Sequence, residues 1–400
     1  MRAGELARVA LAFLSFFLLL SGYYMLRPVR DEMGVQTGVE RLQWLFSGTF
    51  AATLLVVPLF GWVVKRVPRP LLVPVVYGFV VVNLLGFYGA FAVAITPFTA
   101  AAFFIWLTSV NLIVVSLFWS TVSDVFTTEQ SHRLYGYIAA GGTAGALAGP
   151  ALTAILARLL SSANLLALSA ALLASAAGCL VLLRAQVDEP QAAGRPIGGS
   201  VLAGIPLTVR VRSLRGVALL VIFYTAVHTV LYVELADLAR HAYPDSGDRT
   251  AFFASMDLAV NCVALGLQLL VTRPVVERFG LSVGLAMAPF LVLIGLLAIG
   301  FWRTALLLAG TQIVNRAGEF ALVRPGREMI YTTVDPESRY KAKNFIDTTV
   351  YRANDAAMAW LISAMRGAGL DTVLLAAIPV AVGWVMTAFR IGRHHDRKEP

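Results

Sequence analysis

What this chain has little of is charge. Asp, Glu, Lys and Arg make up 14% of its 400 residues, whereas a soluble domain carries roughly 25%. So few charges cannot cover a water-facing surface of that size, and a soluble globule is excluded. Cysteine is nearly absent as well. Cys179 and Cys262 both lie in apolar runs, which leaves no disulfide framework or zinc cluster and makes them packing residues. No Gly-rich phosphate loop, zinc-ligand spacing or nucleophile elbow occurs. No cofactor or metal is therefore expected, and the chain does not read as an enzyme. A membrane-embedded enzyme acting on lipid would lack its nucleophile.

What is present is apolar sequence. Hydrophobic residues are 58% of the chain. Runs near 5–26, 43–65, 71–94, 98–123, 134–158, 164–184, 216–239, 251–273, 280–301, 303–323, 345–366 and 372–391 are each long enough to cross ~30 Å of hydrocarbon as a helix. Arg2 and Arg8 precede the first run, as in a signal peptide. The run is too long and has no small-residue cleavage site, so it reads as an uncleaved first crossing.

With twelve crossings, most of the 32 Lys and Arg residues fall on the side shared by the two termini. That predicts cytoplasmic termini in a bacterial inner membrane. The net charge of +9 follows from this bias and from anionic headgroups, so a nucleic-acid partner is not expected.

The longest polar stretch, 187–215, is rich in Gly and Pro and reads as a cytoplasmic linker. It separates a six-crossing half (1–186) from a second (216–400). The halves share local patterns. Val63-Val64-Lys65-Arg66 closes the second run and Val275-Val276-Glu277-Arg278 the eighth, while VFTTEQSHR and IYTTVDPESR precede the fifth and eleventh. This points to a duplicated six-helix unit. GWVVKRVPRP (61–70) resembles the loop between helices 2 and 3 of major facilitator proteins, with Gly61, Arg66 and Arg69 in place and Lys65 and Pro68 as departures. GGTAGALAGPAL has Gly141, Gly145 and Gly149 four apart, a groove for close helix packing. It also resembles the fifth-helix motif of major facilitator antiporters, without the Gly-Gly that often follows.

Ionisable residues inside spans cost ~2.5–3.5 kcal/mol each at the bilayer centre, so their positions are informative. YYMLRPVRDEMGV places Arg27, Arg30 and Asp31 at the end of the first run, with Arg27 and Asp31 on one helical face and able to pair. A break at Pro28 would free carbonyls to a polar path. The bland alternative is a solvated outer interface with Arg27 snorkelling. Glu234 in the seventh run and Asp257 in the eighth could carry protons or pair with an arginine of a neighbouring helix. His228 reads as a packing residue. Arg316 and Glu319 form a same-face pair in the tenth run, and Asp347, Arg352 and Asp355 line the eleventh. Arg316 and Arg352 are the deepest cations. Guanidinium forks onto carboxylate or phosphate, so they read as contacts for an anion or as an ion pair that opens and closes during transport. On the cytoplasmic side, Arg66, Arg133, Arg278 and Arg339 are expected to pair with Asp124, Glu277 or Asp335 as a latch. Trp119, Tyr224, Tyr232 and Tyr351 read as packing aromatics able to stack on a ring.

Three stretches resemble the ATP/ADP translocases of plastids and intracellular bacteria. YYMLRPVRDEM fits their pattern Y-x-x-L-R-x-x-K-D through Tyr23, Leu26, Arg27 and Asp31, with Arg30 in place of the lysine. LFWSTVSDVFTTEQSHRLYG (117–136) is similar to their Leu-Phe-Trp stretch, with Ser123 and Asp124 replacing an Asn-Glu pair. KAKNFIDTTVYR (341–352) looks like their entry to helix 11, with Lys343, Asp347 and Arg352 in step. The resemblance implies an all-α membrane protein of twelve transmembrane helices in two six-helix bundles, with a small anionic and phosphorylated cargo between the halves. The expectation is a monomeric alternating-access transporter exchanging nucleotides or related phosphorylated anions. A proton-coupled major facilitator transporter of an organic anion, drug or siderophore is the alternative.

Overall fold

A computed structural model of the chain describes residues 3–186, 204–368 and 373–397. Among them there is no strand. Twelve long helices follow in order: α1 (Ala3–Thr37), α2 (Leu42–Arg66), α3 (Arg69–Val93), α4 (Pro97–Val125), α5 (Thr128–Leu156), α6 (Ser162–Arg184), α7 (Arg212–Ala242), α8 (Ser246–Leu267), α9 (Arg273–Phe301), α10 (Ala305–Gly318), α11 (Pro336–Asn344) and α12 (Val373–Asp396). Three continue past these bounds through π-helical turns. α8 passes through Gln268–Thr272 into α9. α10 continues through Glu319–Val323 to Arg324–Thr332, and α11 through Phe345–Val350 to Tyr351–Gly367. The eighth crossing ends at Gly280, whose φ of 83° is one a side chain rarely adopts.

Local chemistry sets the ends. Thr96 and Thr127 make capping boxes with Thr99 and Gln130, satisfying the first orphan N–H groups of α4 and α5. Ser161, Thr304 and Asp335 cap α6, α10 and α11 by accepting from the backbone N–H three residues on. The paired motifs lie at corresponding junctions. VFTTEQSHR joins α4 to α5 and IYTTVDPESR joins α10 to α11.

Two expectations are corrected here. α1 does not break at Pro28 but continues through it to Thr37, so Arg27, Arg30 and Asp31 sit on a continuous helix. Of the linker expected over 187–215, residues 187–203 lie outside the described residues, but Gly204–Arg210 is helical and α7 starts at Arg212. A Cβ at Gly204 would come within 2.6 Å of the Lys341 carbonyl oxygen, so this short helix is held against α11.

The chain forms two compact units: Met1–Gly38, Ala51–Pro196 and Ala242–Leu258 in the first, and Val39–Phe50, Ile197–His241 and Ala259–Pro400 in the second. Each takes in a short segment from the other half of the sequence. The start of α8 is tied into the first unit by the ion pairs Arg249–Glu32 and Arg27–Asp257. The start of α2 is tied into the second by Arg240–Glu40, by a hydrogen bond from the Trp360 indole N–H to the Ser47 hydroxyl, and by the Phe46–Tyr232 edge contact.

In the first unit α1 packs against α4, α5 and α6, and α3 against α6. The α1–α5 seam depends on the glycine groove. A Cβ at Gly141, Gly145 or Gly149 would lie 2.4, 2.4 or 2.6 Å from the carbonyl oxygens of Phe13, Phe17 and Ser21. Small hydroxyls bridge α1 to both neighbours, with Ser15 donating to the Ala176 carbonyl of α6, Ser169 of α6 to that of Gly22 and Thr153 of α5 to that of Met25. Close backbones and hydroxyl bridges hold helices together where lipid offers no hydrophobic drive. In the second unit α9 packs on α10 and α12, and Asn354 and Asp355 bond α11 to α7 through Ile222, Thr225 and Thr229. Large apolar side chains such as Leu55, Val82, Leu270 and Leu306 are exposed, as a lipid-facing surface requires.

By length and apolarity alone, nine helical stretches among the described residues qualify as membrane spans, one of them the 56-residue run Ser246–Phe301. The other two long helices, α10 and α11, carry the polar and charged residues described below.

Gly145→Ala should cost about 1–3 kcal/mol by forcing α1 and α5 apart, a Tm lower by about 1–4 °C in detergent. Gly136, on the same helix with nothing within 4 Å of a Cβ, should accept Ala without loss. Equal Tm values for the two variants would show that the groove does not hold this seam.

Candidate functional site

Buried ionic residues gather at two places, one in each unit. In the first, α1 carries Arg27, Arg30, Asp31 and Glu32 on adjacent turns. The Arg27 Nε lies 3.6 Å from Asp257 on α8, and Asp257 is 1% exposed. Arg27 also covers the Tyr24 ring at 5.3 Å. The expected Arg27–Asp31 pair gives way to this arrangement. Asp31 instead accepts from the Arg30 Nε and Nη2 at 3.0 and 2.6 Å, while the Arg30 guanidinium lies over Phe104 at 5.4 Å. A carboxylate brought by another helix thus takes the place of the same-face neighbour. The next residue, Glu32, is fully buried and bidentate with Arg249 (2.7 and 2.8 Å), whose remaining nitrogen donates to the Tyr243 and Pro244 carbonyls. Gln36 adds bonds to Glu32 and Ser246.

In the second unit the inner face of α10 is polar. Thr311, Gln312, Asn315, Arg316 and Glu319 are all buried. Arg316 and Glu319, expected as a pair, diverge. Glu319 accepts from Arg327 Nη2 at 3.0 Å and lies 3.9 Å from Arg324. Arg327 also reaches Asp347 on α11 at 3.4 Å, so it bridges two carboxylates. The π turn makes this possible. Eight residues at 100° each put Glu319 and Arg327 ~80° apart on an α-helix. A π turn absorbs roughly one residue and brings them to within ~20° of one face. Asp347 also sits in a π turn.

Arg352 and Asp355 pair as expected (3.5 Å). Arg352 covers the Tyr351 ring at 5.2 Å, and Asp355 accepts from the Thr229 hydroxyl at 2.9 Å. Glu234 pairs with Arg366 at 2.6 Å. His228 stacks on Tyr224 and lies 3.5 Å from Asn315, in keeping with a packing role. Trp119 packs on Phe16, Phe118 and Tyr135.

The expected latch takes other partners. Arg133 reaches Glu5 at 3.3 Å. Arg66 stacks on Trp62 and Arg278 on Phe279. Glu277 is taken by Arg273, one turn earlier on the same helix. Asp335 caps α11, whose first turn includes Arg339; the Ser338 backbone N–H holds the Asp335 carboxyl below its usual range. Asp124 is buried with Arg69 and Arg184 as its cations. For Arg66, Arg278, Glu277 and Asp335 a near neighbour or a helix end competes successfully for the charge, whereas Arg133 and Asp124 take partners from other helices.

Sequence reasoning missed Arg327, Asn315 and the Glu32–Arg249 fork. Arg327 follows Pro325-Gly326 in a charged stretch that reads as a loop. A signal for Asn315 was present, since 311, 312, 315, 316 and 319 form a polar stripe at helical spacing. Glu32–Arg249 is a tertiary pair without a local sign.

No family model matches the chain. The ADP,ATP carrier protein 1 of Chlamydia pneumoniae is 27% identical over 156 residues, 34% of this chain and 30% of that protein. The ADP,ATP carrier protein 1 of Chlamydia trachomatis is 23% identical over 203 residues, 44% of this chain and 38% of that protein. The chain thus matches well under half the length of these relatives. Solved structures match nearly throughout. The POT family transporter PepTSo has a TM-score of 0.71 at 12% identity, covering 98% of this chain and 99% of its own. The nucleoside transporter NupG has 0.68 at 15%, covering 97% and 98%. The human organic anion transporter MFSD10 has 0.61 at 15%, covering 98% and 100%. The fold is the all-α, twelve-helix, two-bundle architecture of the major facilitator transporters, and the chain is a multi-pass membrane protein resembling the translocases.

Asp257→Asn, which removes charge with little change in shape, should destabilise by about 3–5 kcal/mol because Arg27 loses its buried counter-ion. Asp248→Asn, in the exposed pair with Arg158 (66% and 43% exposed side chains), should cost at most about 1 kcal/mol. Arg27→Gln combined with Asp257→Asn should recover part of the loss. Thermal unfolding in detergent reads all three, and equal effects at 257 and 248 would refute the buried pair.

Proposed function

We propose that this chain is an alternating-access transporter that exchanges a nucleotide or related phosphorylated anion across a bacterial inner membrane, with both termini cytoplasmic and the monomer as the working unit. One observation carries this reading: the translocase-like motif positions coincide with ion-paired residues of the helices. Arg27 and Asp31 of the first motif lie on the span helix α1, and Asp347 and Arg352 of the third lie, half-buried, on the polar helix α11. Arg27 faces Asp257 and Asp347 faces Arg327. The partial likeness to two ADP,ATP carriers supports the same cargo class.

A physical role follows for each group. A guanidinium kept in a low-dielectric region needs an anion beside it. In the empty carrier, Asp257, Asp31 and Asp355 supply it to Arg27, Arg30 and Arg352, and Glu319 and Asp347 supply it to Arg327. A phosphate offers the same forked geometry with more charge, so Arg27, Arg30 and Arg352 can pass from protein carboxylate to cargo, with Arg316 as a further contact. Glu234, paired with Arg366 near the end of α7, acts in gating. Asp124, with Arg66, Arg69, Arg133, Arg184, Arg278 and Arg339, forms the polar helix ends that rearrange as the carrier cycles. A proton-coupled carrier of an organic anion is the second reading. It draws on the burial of Asp257 and Glu319, since a carboxyl held away from water is a proton site.

Purified protein in liposomes loaded with ADP should take up labelled ATP, and omitting internal nucleotide should abolish uptake. Arg27→Gln and Arg352→Gln should each lower exchange by at least about tenfold, ~1.4 kcal/mol of lost interaction, with Lys restoring part of it. No uptake of any nucleotide, with uptake of an organic anion that follows an imposed pH gradient, would replace the first reading by the second.

A further inference from the structure

A cavity of about 380 Å³ lies in the second unit where α7 begins and where α10 and α12 finish. Its charged lining is one-sided. Arg212 and Arg215 come from the first turn of α7, and Arg390, His394 and His395 from the last turns of α12; among the described residues no carboxylate lines it. Arg212 and Arg215 are three apart, and Arg390 and His394 four apart, so each helix turns its basic groups to one face. Like charges at these spacings repel. Among the described residues no salt bridge joins Arg212, Arg215 or Arg390 to an acid.

The nearest carboxylate on α12 is engaged elsewhere. Asp396 accepts from the backbone N–H groups of Leu281 and Ser282 at 2.9 and 3.0 Å, capping the helix that follows Gly280. That capping also fixes one wall. Gly392 lies so close to α9 that a Cβ there would meet the Ser282 Cα at 2.3 Å. The rest of the lining is apolar, with Ile330 and Ile391 inside and Leu219 exposed one turn beyond Arg215.

We infer that this cavity binds a phosphate group, that of an anionic phospholipid headgroup or that of a soluble phosphate ester. Two arginines from one helix and one from another, with histidines behind, offer forked donors to a tetrahedral anion. The site lies where α7 begins and α12 ends, at the level of headgroups in a spanning helix. The apolar strip beside the cations suits the first carbons of an acyl chain, and among the described residues no acid lines the cavity to serve as the anion. Basic pockets between span ends are suited to such headgroups.

The full-length protein in detergent, supplemented in turn with phosphatidylglycerol, phosphatidylcholine, inorganic phosphate and glycerol 3-phosphate, tests this. Phosphatidylglycerol should raise Tm by at least about 3 °C and stay bound in native mass spectra, while phosphatidylcholine should do neither. Added salt should shrink the rise. Arg215→Gln with Arg390→Gln should remove at least half of it. Arg393→Gln, one charge off the lining on the same helix, should keep it. If the soluble phosphates raise Tm as much as phosphatidylglycerol does, the anion comes from solution and the site stands. Equal Tm in both lipids and in both phosphates would overturn it, and so would an Arg393→Gln loss matching that of the double variant. Should the double variant not fold, wild-type lipid retention and Arg390→Gln alone decide on the same criteria.

Discussion

A guanidinium away from water must have an anion beside it, and the interior of this protein is arranged to meet that requirement. Isolating a charge in a medium of low dielectric costs several kcal/mol even after relaxation. Four of the inner arginines meet a carboxylate or an aromatic face: Arg27 meets Asp257 and Tyr24, Arg327 meets Glu319 and Asp347, Arg352 meets Asp355 and Tyr351, and Arg249 meets Glu32. Several partners come from other helices, so the pairs act as tertiary restraints as well as charge compensation. The starts of α2 and α8 join their respective units through such contacts.

The surrounding helices supply what ion pairs cannot. Dispersion and hydroxyl bridges hold α1 to α5 and α6, and the Gly141–Gly145–Gly149 groove sets how near α1 and α5 approach. Aromatic rings fill the space behind, with Phe16 stacked on Phe118 at 4.3 Å and Phe87 edge-on to Phe103. The ionic residues of α1 thus stand on a packed support, which limits how far Arg27 can follow any anion that displaces Asp257.

Much of this was legible in the sequence. Twelve apolar runs, the junction motifs and the glycine spacing correspond to helices, junctions and close contacts that are present. Helix ends were less legible wherever charge is buried. α1 was expected to finish at 26 and α10 at 323, because Arg and Asp normally mark water; both helices continue, and their charges are neutralised within the fold. Pairings were the least legible part. Spacing along one helix favoured Arg27 with Asp31 and Arg316 with Glu319, but Arg27 took Asp257 from another helix and Glu319 took Arg327 from beyond the π turn. Only Arg352–Asp355, where the helix returns to α geometry after its π turn, kept its local mate.

The extra residue carried in Glu319–Val323 also bears on how relatives should be compared. It acts as a phase shift: letters upstream and downstream keep their order but face new directions. A homologue with the same acid and arginine but one residue fewer between them would keep the handshake on a regular α-helix, whereas one with the same interval and no π turn would preserve the spelling and lose it. Kinship in this stretch is therefore better judged by the interval together with the helix type than by matching the characters.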